Sequence, residues 1–274
     1  MSIKKIGVAS RCDRPEVLGM VRKILDGFSQ KVEILVSTAT ADVLGIPGVS
    51  VEDMRAEGVE LLISVGGDGT VLRNIAKMKD PLPVLGINMG TLGFLVDVEP
   101  EDAIEAIEEV LYGFSYIERM RVDVYLNGEI LDTATNEVAI MSAKPAKIIQ
   151  FEVNVDECPL GEMRADGVVF ATPTGSTAYA MSAGGPIVNP RVNAIVVVPV
   201  APFKLSSRPW VIPSDSEFTV RLIASKEAVV AIDGQKSYRI RPEDVVKLKK
   251  SKFPARFVKV SDTCFYERVQ RKLS

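Results

Sequence analysis

The chain predicts an α/β domain, with a parallel sheet and flanking helices, joined to a β-rich domain. Three observations carry this. Short apolar runs rich in β-branched residues alternate with amphipathic helical segments over about the first hundred residues; from about residue 115 to 250 the pattern becomes that of many short strands; and a glycine-rich turn directly follows one of the early strands.

Ile3 to Ala9 reads as a buried strand, and Asp13-Arg14-Pro15 then offers a cap and a proline for a helix start. Val17, Leu18, Val21, Ile24, Leu25 and Phe28 fall on one face of that helix. Val32 to Val36, Leu61 to Val65 and Val84 to Ile87 are further strand candidates, and in such a sheet ligands bind beyond the carboxyl ends of the strands. Pro100 to Gly113 is expected to be a helix with Ile104, Ile107, Val110 and Leu111 as its apolar stripe. Arg121 to Leu126 then leads through Asn127-Gly128, a strong hairpin signal, into Glu129 to Leu131.

Strand-like runs follow at Glu137 to Met141, Ile148 to Val155, Val168 to Ala171, Ala194 to Val198, Phe218 to Ile223, Ala228 to Ile232 and Val245 to Lys249. Phe265, Tyr266, Val269 and Leu273 return to helical spacing. The expected division is therefore 1–99, with 252–274 docking back on it, and 100–251 as the β-rich part.

Composition narrows the chemistry. With 274 residues, 47% of them apolar, the chain can bury a large core without staples. A formal net charge of -3 argues against a general nucleic-acid or membrane-surface binder, so a small ligand is expected. The three cysteines, Cys12, Cys158 and Cys264, are far apart and lack C-x-x-C spacing, which fits a reducing cytoplasm better than a disulfide framework or a cysteine zinc site. No stretch approaches the apolar length of a membrane span. Histidine is absent altogether, which removes Ser-His and Cys-His nucleophile pairs, histidine metal ligands and imidazole acid/base chemistry.

Gly66-Gly67-Asp68-Gly69-Thr70, between the apolar run ending at Val65 and the helical Val71 to Ala76, has the outline of a phosphate-binding turn. Glycines let the backbone approach a ligand, and the helix N-terminus supplies N–H donors and a positive dipole end. A carboxylate repels phosphate, so Asp68 points to chemistry or metal placement. The loop lacks the Walker ending and the third glycine of a dinucleotide fingerprint, and a plain strand-to-helix turn capped by Asp68 and Thr70 is the simpler alternative.

A second dense stretch runs from Arg164-Ala165-Asp166-Gly167 through Thr172-Pro173-Thr174-Gly175-Ser176-Thr177-Ala178-Tyr179-Ala180-Met181-Ser182 to Gly184-Gly185-Pro186. Its hydroxyls and turns suit a sugar or a base edge, and its alternative is a Ser/Thr-rich surface turn. Taken alone, Asn136-Glu137 reads as a solvated turn, Asp233-Gly234-Gln235 as a hairpin turn, and Arg73, Lys147, Arg164 and Arg208 as surface charges.

Together these motifs resemble the NAD kinase family. GGDGT at Gly66 to Thr70, N-x-G-x-L-G-F-L at Asn88 to Leu95, Asn136-Glu137, and ADG…ATPTGSTAY…SAGGP from Ala165 to Pro186 follow that family's order. The first motif is shared with diacylglycerol and sphingosine kinases; the long one makes the resemblance specific. Where many family members carry Pro-His-Ser-Leu-Ser, this chain reads Pro202-Phe203-Lys204-Leu205-Ser206.

The resemblance implies phosphoryl transfer from ATP or polyphosphate to the adenosine ribose 2′-hydroxyl of NAD, with Mg²⁺ or another divalent metal assisting. It implies Asp68 as the catalytic acid-base group within the Gly66, Gly67, Asp68, Gly69, Thr70 loop. It further implies Asn136 and Glu137 on the adenosine part, and Asp166, Thr177, Ala178, Tyr179, Ala180, Met181 and Ser182 along the rest of the site, with Arg73, Lys147, Arg164 and Gln235 joining by looser alignment. A homodimer or homotetramer in the cytoplasm is expected. The alternatives are a lipid kinase sharing the glycine loop and a non-catalytic dinucleotide sensor.

Overall fold

The structure is a computed structural model that describes residues 3–90, 93–223, 226–260 and 264–273. The chain divides into two compact units, Met1–Glu118 with Ala255–Ser274, and Arg119–Pro254.

In the first stretch lie β1 (Lys5–Ser10), α1 (Pro15–Phe28), β2 (Glu33–Val36), α2 (Thr38–Leu44), β3 (Leu61–Gly66), α3 (Asp68–Ala76), β4 (Pro83–Asn88), α4 (Ala103–Tyr112) and β5 (Tyr116–Arg119). The second unit follows with β6 (Val122–Leu126), β7 (Glu129–Ala134), β8 (Glu137–Ser142), β9 (Ile149–Val155), β10 (Cys158–Ala165) and β11 (Gly167–Ala171). After a 3-10 turn at Gly175–Thr177 come α5 (Tyr179–Ser182), β12 (Ala194–Val200), β13 (Trp210–Pro213), β14 (Phe218–Leu222), β15 (Ala228–Ile232), β16 (Lys236–Ile240) and β17 (Val245–Lys250). β18 (Ala255–Val258) and α6 (Phe265–Leu273) return to the first unit.

The first unit's sheet has the order β2-β1-β3-β4-β18-β5, and β1 to β4 and β18 pair in parallel. Alternate residues leave opposite faces of each strand. Ile6, Val8, Ile63, Val65 and Ile87 pack with Val17, Val21, Ile24 and Phe28 of α1 and Ile107 of α4, while Ala9, Leu62 and Val84 pack with Val71 and Ile75 of α3. Burial on both faces explains why these strands are continuous apolar runs rather than alternating ones.

Two expectations shift. Asp13 does not cap α1; Arg14 holds the cap position without a side-chain bond, and the Asp13 carboxylate instead accepts from the Arg11 guanidinium at 2.7 and 2.5 Å. The sequence division at residue 100 differs from the structural one, because α4 belongs with the first unit: Ile107, Val110 and Leu111 enter the same core as β1 and α1. Ile104 is 38% exposed, and Ala103 takes its place on the buried stripe.

The second unit holds two six-stranded antiparallel sheets, β10-β9-β14-β17-β6-β7 and β13-β12-β11-β8-β15-β16. Phe151, Val153, Phe218, Val220 and Leu248 of one share a core with Val138, Ile140, Val168, Phe170 and Val230 of the other. Phe170 meets Phe218 edge-on at 5.4 Å, a preferred aromatic geometry. The opposite face of the second sheet is also apolar: Ala139, Val169, Ala171, Val196 and Val198 are covered by Ala180 and Val188. That cover pins the segment following β11 to the sheet. Asn127-Gly128 and Asp233-Gly234 each have positive φ at both residues, the two-residue hairpin conformation that follows strand twist.

Candidate active site

Site residues fall in both units, and each group is built by its own local hydrogen bonds. In the first unit the buried strand β3 ends at Gly66, and α3 begins two residues later with Gly67 at its cap position. Asn74 of α3 donates to the Ser64 hydroxyl of β3 at 3.0 Å, within the core, which fixes the helix against the strand. Thr70 is buried behind Gly66, whereas a Cβ on Gly67 or Gly69 would meet nothing within 4 Å. Those two glycines therefore leave backbone open to a ligand rather than relieving an internal clash. Arg73 lies on the exposed side of α3.

Asp68 is not a simple cap. Its Oδ2 accepts the Phe94 amide at 2.7 Å, and its Oδ1 accepts those of Leu95 and Val96 at 3.0 and 3.2 Å. Three amides fix the carboxylate in one orientation and leave roughly one of its four acceptor positions open. The motif after β4 thus acts on Asp68 through its backbone, although its Thr91 and Leu92 lie outside the described residues. Gly93 is required by contact, since a Cβ there would fall on the Asp68 carboxylate. Arg268 of α6 holds the same segment, donating to the Phe94 carbonyl at 3.0 Å and pairing with Asp97. Lys272 lies 3.9 Å from Asp68 Oδ2 and over the Phe94 ring.

In the second unit, strand register gathers the other motif residues. Ala171 of β11 stands opposite Glu137 of β8, and Ile232 of β15 opposite Val138 on the other side. The chain just beyond each neighbour therefore meets Asn136-Glu137. Thr172 donates its amide to the Asn136 carbonyl at 2.8 Å and its hydroxyl to the Thr135 carbonyl at 2.7 Å. Gly175 sits so close to Asn136 that a Cβ would come within 2.8 Å of its Cα. The Ser176 hydroxyl bridges the Pro173 carbonyl and the Val188 amide, closing the loop from within.

Asn136-Glu137 is not the solvated turn the isolated pair suggests. Glu137 is buried, 7% exposed, and accepts the Tyr179 amide. Burial first, then the charge of nearby Asp233, push its carboxyl up to about 8 against the pull of that amide. Asn136 Oδ1, Glu137 Oε2, Thr135 Oγ1 and Thr174 Oγ1 are buried without a hydrogen-bond partner among the described residues. Leaving one such group unpaired costs about 1–3 kcal/mol, so these buried polar atoms are candidates to meet a polar ligand.

Asp233 belongs to this cluster by contacts that sequence reasoning missed. Its carboxylate accepts the amides of Thr135, Asn136 and Glu137 at 2.8, 2.7 and 3.1 Å. The Asp-Gly hairpin signal already accounted for an aspartate there, so the second role was masked.

Thr177 is buried, Ala178 half-buried and Tyr179 40% exposed at the start of α5, with Ala180 buried, Met181 half-buried and Ser182 exposed after it. Gln235 is exposed two residues past Asp233. Among the described residues, Lys147, Arg164 and Asp166 share no hydrogen bond with the Glu137 cluster. Lys147 is exposed between β8 and β9, and Asp166, between β10 and β11, accepts the Ser142 amide and donates to the Val200 carbonyl through its backbone. Arg164 is a strand residue of β10 rather than part of the polar loop, and stacks over Phe203 at 4.7 Å.

Residues 22–114 match the family description "ATP-NAD kinase N-terminal domain", and residues 135–260 match "ATP-NAD kinase C-terminal domain". A curated NAD kinase of Methanosarcina mazei is 84% identical over 100% of this chain and 95% of its own length, and one of Methanothermobacter thermautotrophicus is 42% identical over 98% and 96%. A crystal structure of an NAD kinase from Archaeoglobus fulgidus in complex with ATP aligns with a TM-score of 0.80 at 31% identity, covering 98% of this chain and 97% of that one. A yeast NADH kinase structure complexed with NADH shares the fold, with a TM-score of 0.91 at 22% identity over 99% and 88% of the two chains.

Proposed function

The chain belongs to the NAD kinase family, and on that premise we propose that it phosphorylates the adenosine ribose 2′-hydroxyl of NAD, with ATP as donor and Asp68 as general base. The observation that supports this most is the Asp68 carboxylate, held by three backbone amides at the head of a glycine turn that is otherwise built for phosphate.

A ribose hydroxyl is far less acidic than a carboxylic acid, so Asp68 orients it and takes its proton only as the bond to phosphorus forms. In a loose phosphoryl-transfer transition state, positioning and charge stabilisation carry most of the catalysis. The backbone at Gly67 and Gly69, with the positive end of α3, faces the donor phosphates. Asn136, Glu137 and Thr174, whose Oδ1, Oε2 and Oγ1 have no partner among the described residues, hold the adenosine end, and a protonated Glu137 donates a hydrogen bond there.

Among the described residues no three His, Cys, Asp or Glu side chains gather as a metal cage. A magnesium ion would be held mainly by donor phosphates and water near Asp68, and would neutralise phosphate charge there.

A cytoplasmic homodimer or homotetramer is part of the proposal. Phe203, Leu205, Trp210 and Val211 expose apolar surface beside the edge strand β13, a feature that supports self-association and that light scattering would test.

Incubation with NAD, ATP and Mg²⁺ should yield NADP, and Asp68→Asn should keep NAD affinity while turnover falls by about 10² to 10⁴. Near-normal turnover in that variant would remove Asp68 from the base role. Phosphorylation of a lipid alcohol but not of NAD would favour the lipid-kinase alternative.

A further inference from the structure

A hairpin turn explains why Asp233 has positive φ, but not what its side chain does. The carboxylate reaches from the β15–β16 turn to the point where β7 ends and β8 begins, and takes three consecutive amides at 2.7–3.1 Å. Successive N–H groups aimed at one point form an anion nest, a feature that elsewhere binds ligands. Here the protein fills it with its own carboxylate. All three residues of that nest carry a buried side-chain oxygen without a partner among the described residues, and the longer two, Asn136 with Oδ1 and Glu137 with Oε2, can reach a ligand.

We infer that Asp233 is the positioning residue of the NAD site, fixing the Asn136-Glu137 backbone so that both side chains meet the adenosine end of the substrate. The inference rests on the binding role given above to those two residues. Asp233 touches no substrate in this scheme and acts through its neighbours.

Charge adds a second effect through the same geometry. The groups that bear on Glu137 are the Asp233 carboxylate and the Tyr179 amide, and buried Arg121 faces Asp233 in turn. The Asp233 anion favours the protonated form of Glu137 that donates to a ligand.

The test is Asp233→Asn, which keeps the shape but removes the charge and turns an N–H toward one of the three amides. Calorimetry without ATP is expected to show NAD binding weakened about tenfold, the effect of one buried group left unpaired. The alkaline loss of NAD affinity should also move to lower pH, because Glu137 then gives up its proton sooner. The KM for ATP should stay within about twofold, a split that general destabilisation would not produce. Adding Asp233→Asn to Glu137→Gln should leave the pH profile where Glu137→Gln alone puts it, and Asp233→Glu should retain the wild-type pH profile while weakening affinity. Unchanged NAD affinity and pH profile in a folded Asp233→Asn protein, or equal losses for NAD and ATP, would overturn the inference. Because affinity is read without turnover, a wild-type protein that bound NAD but made no NADP would count against the catalytic reading alone.

Discussion

Glu137→Gln should make the second unit more stable at alkaline pH and leave it unchanged in acid. In the folded state the Glu137 carboxyl rises from its ordinary 4.5 to about 8, through burial and then the Asp233 charge. Between those values the folded chain keeps a proton that the unfolded chain releases, so this residue lowers stability by about 1.4 kcal/mol per pH unit as pH rises. The loss is absent below 4.5, complete above about 8, and amounts to at most about 5 kcal/mol. Glutamine imitates the protonated acid, still accepts the Tyr179 amide and cannot ionise, so its stability lacks this slope.

The single tryptophan, Trp210, lies on β13 and reports this unit. Urea unfolding followed by its fluorescence, at about pH 4 and about pH 8.5, should show coincident curves in acid and a gap of about 2 kcal/mol or more in favour of the variant in alkali. Asp233 is coupled to Glu137, so the difference between the two proteins reports the pair of carboxyls. Curves that stay parallel at both pH values would refute the assignment of a raised carboxyl to Glu137.

Gly175→Ala should lower the unfolding free energy of the second unit, read from urea curves, by about 1–3 kcal/mol, since the added methyl lands on the Asn136 backbone; a loss under about 0.5 kcal/mol would show that the loop can move aside. Arg268→Gln removes a charged donor to the Phe94 carbonyl, and the amides of Phe94, Leu95 and Val96 should exchange with solvent about tenfold faster, as a loss of about 1.4 kcal/mol requires. Unchanged exchange there would detach α6 from the positioning of Asp68.

The sequence made the parallel sheet legible because β1, β3 and β4 are buried on both faces and so appear as unbroken apolar runs. The GGDGT turn was equally legible, since its glycines and its acid are side-chain facts. The cradle around Asp68 was not, because Phe94, Leu95 and Val96 act through amides that every residue possesses. Asn136-Glu137 looked solvated for a related reason: only the register of β8 between β11 and β15 shows that the pair is roofed over. Asp13 and Asp233 misled in opposite ways. The first offered a cap that its bond to Arg11 overrides, and the second offered a turn so complete that its carboxylate needed no further explanation.

β18 lies between β4 and β5 in the first sheet, although the chain writes it after the whole second unit. During synthesis the first unit therefore waits, its β4 edge unpaired, while Arg119–Pro254 are made over roughly ten to thirty seconds. The second unit, being continuous, can fold in that interval. The exposed edge is where a nascent-chain chaperone has most to protect. The segment that fixes Asp68 gains its hold from Arg268 only once α6 has emerged, after the whole second unit.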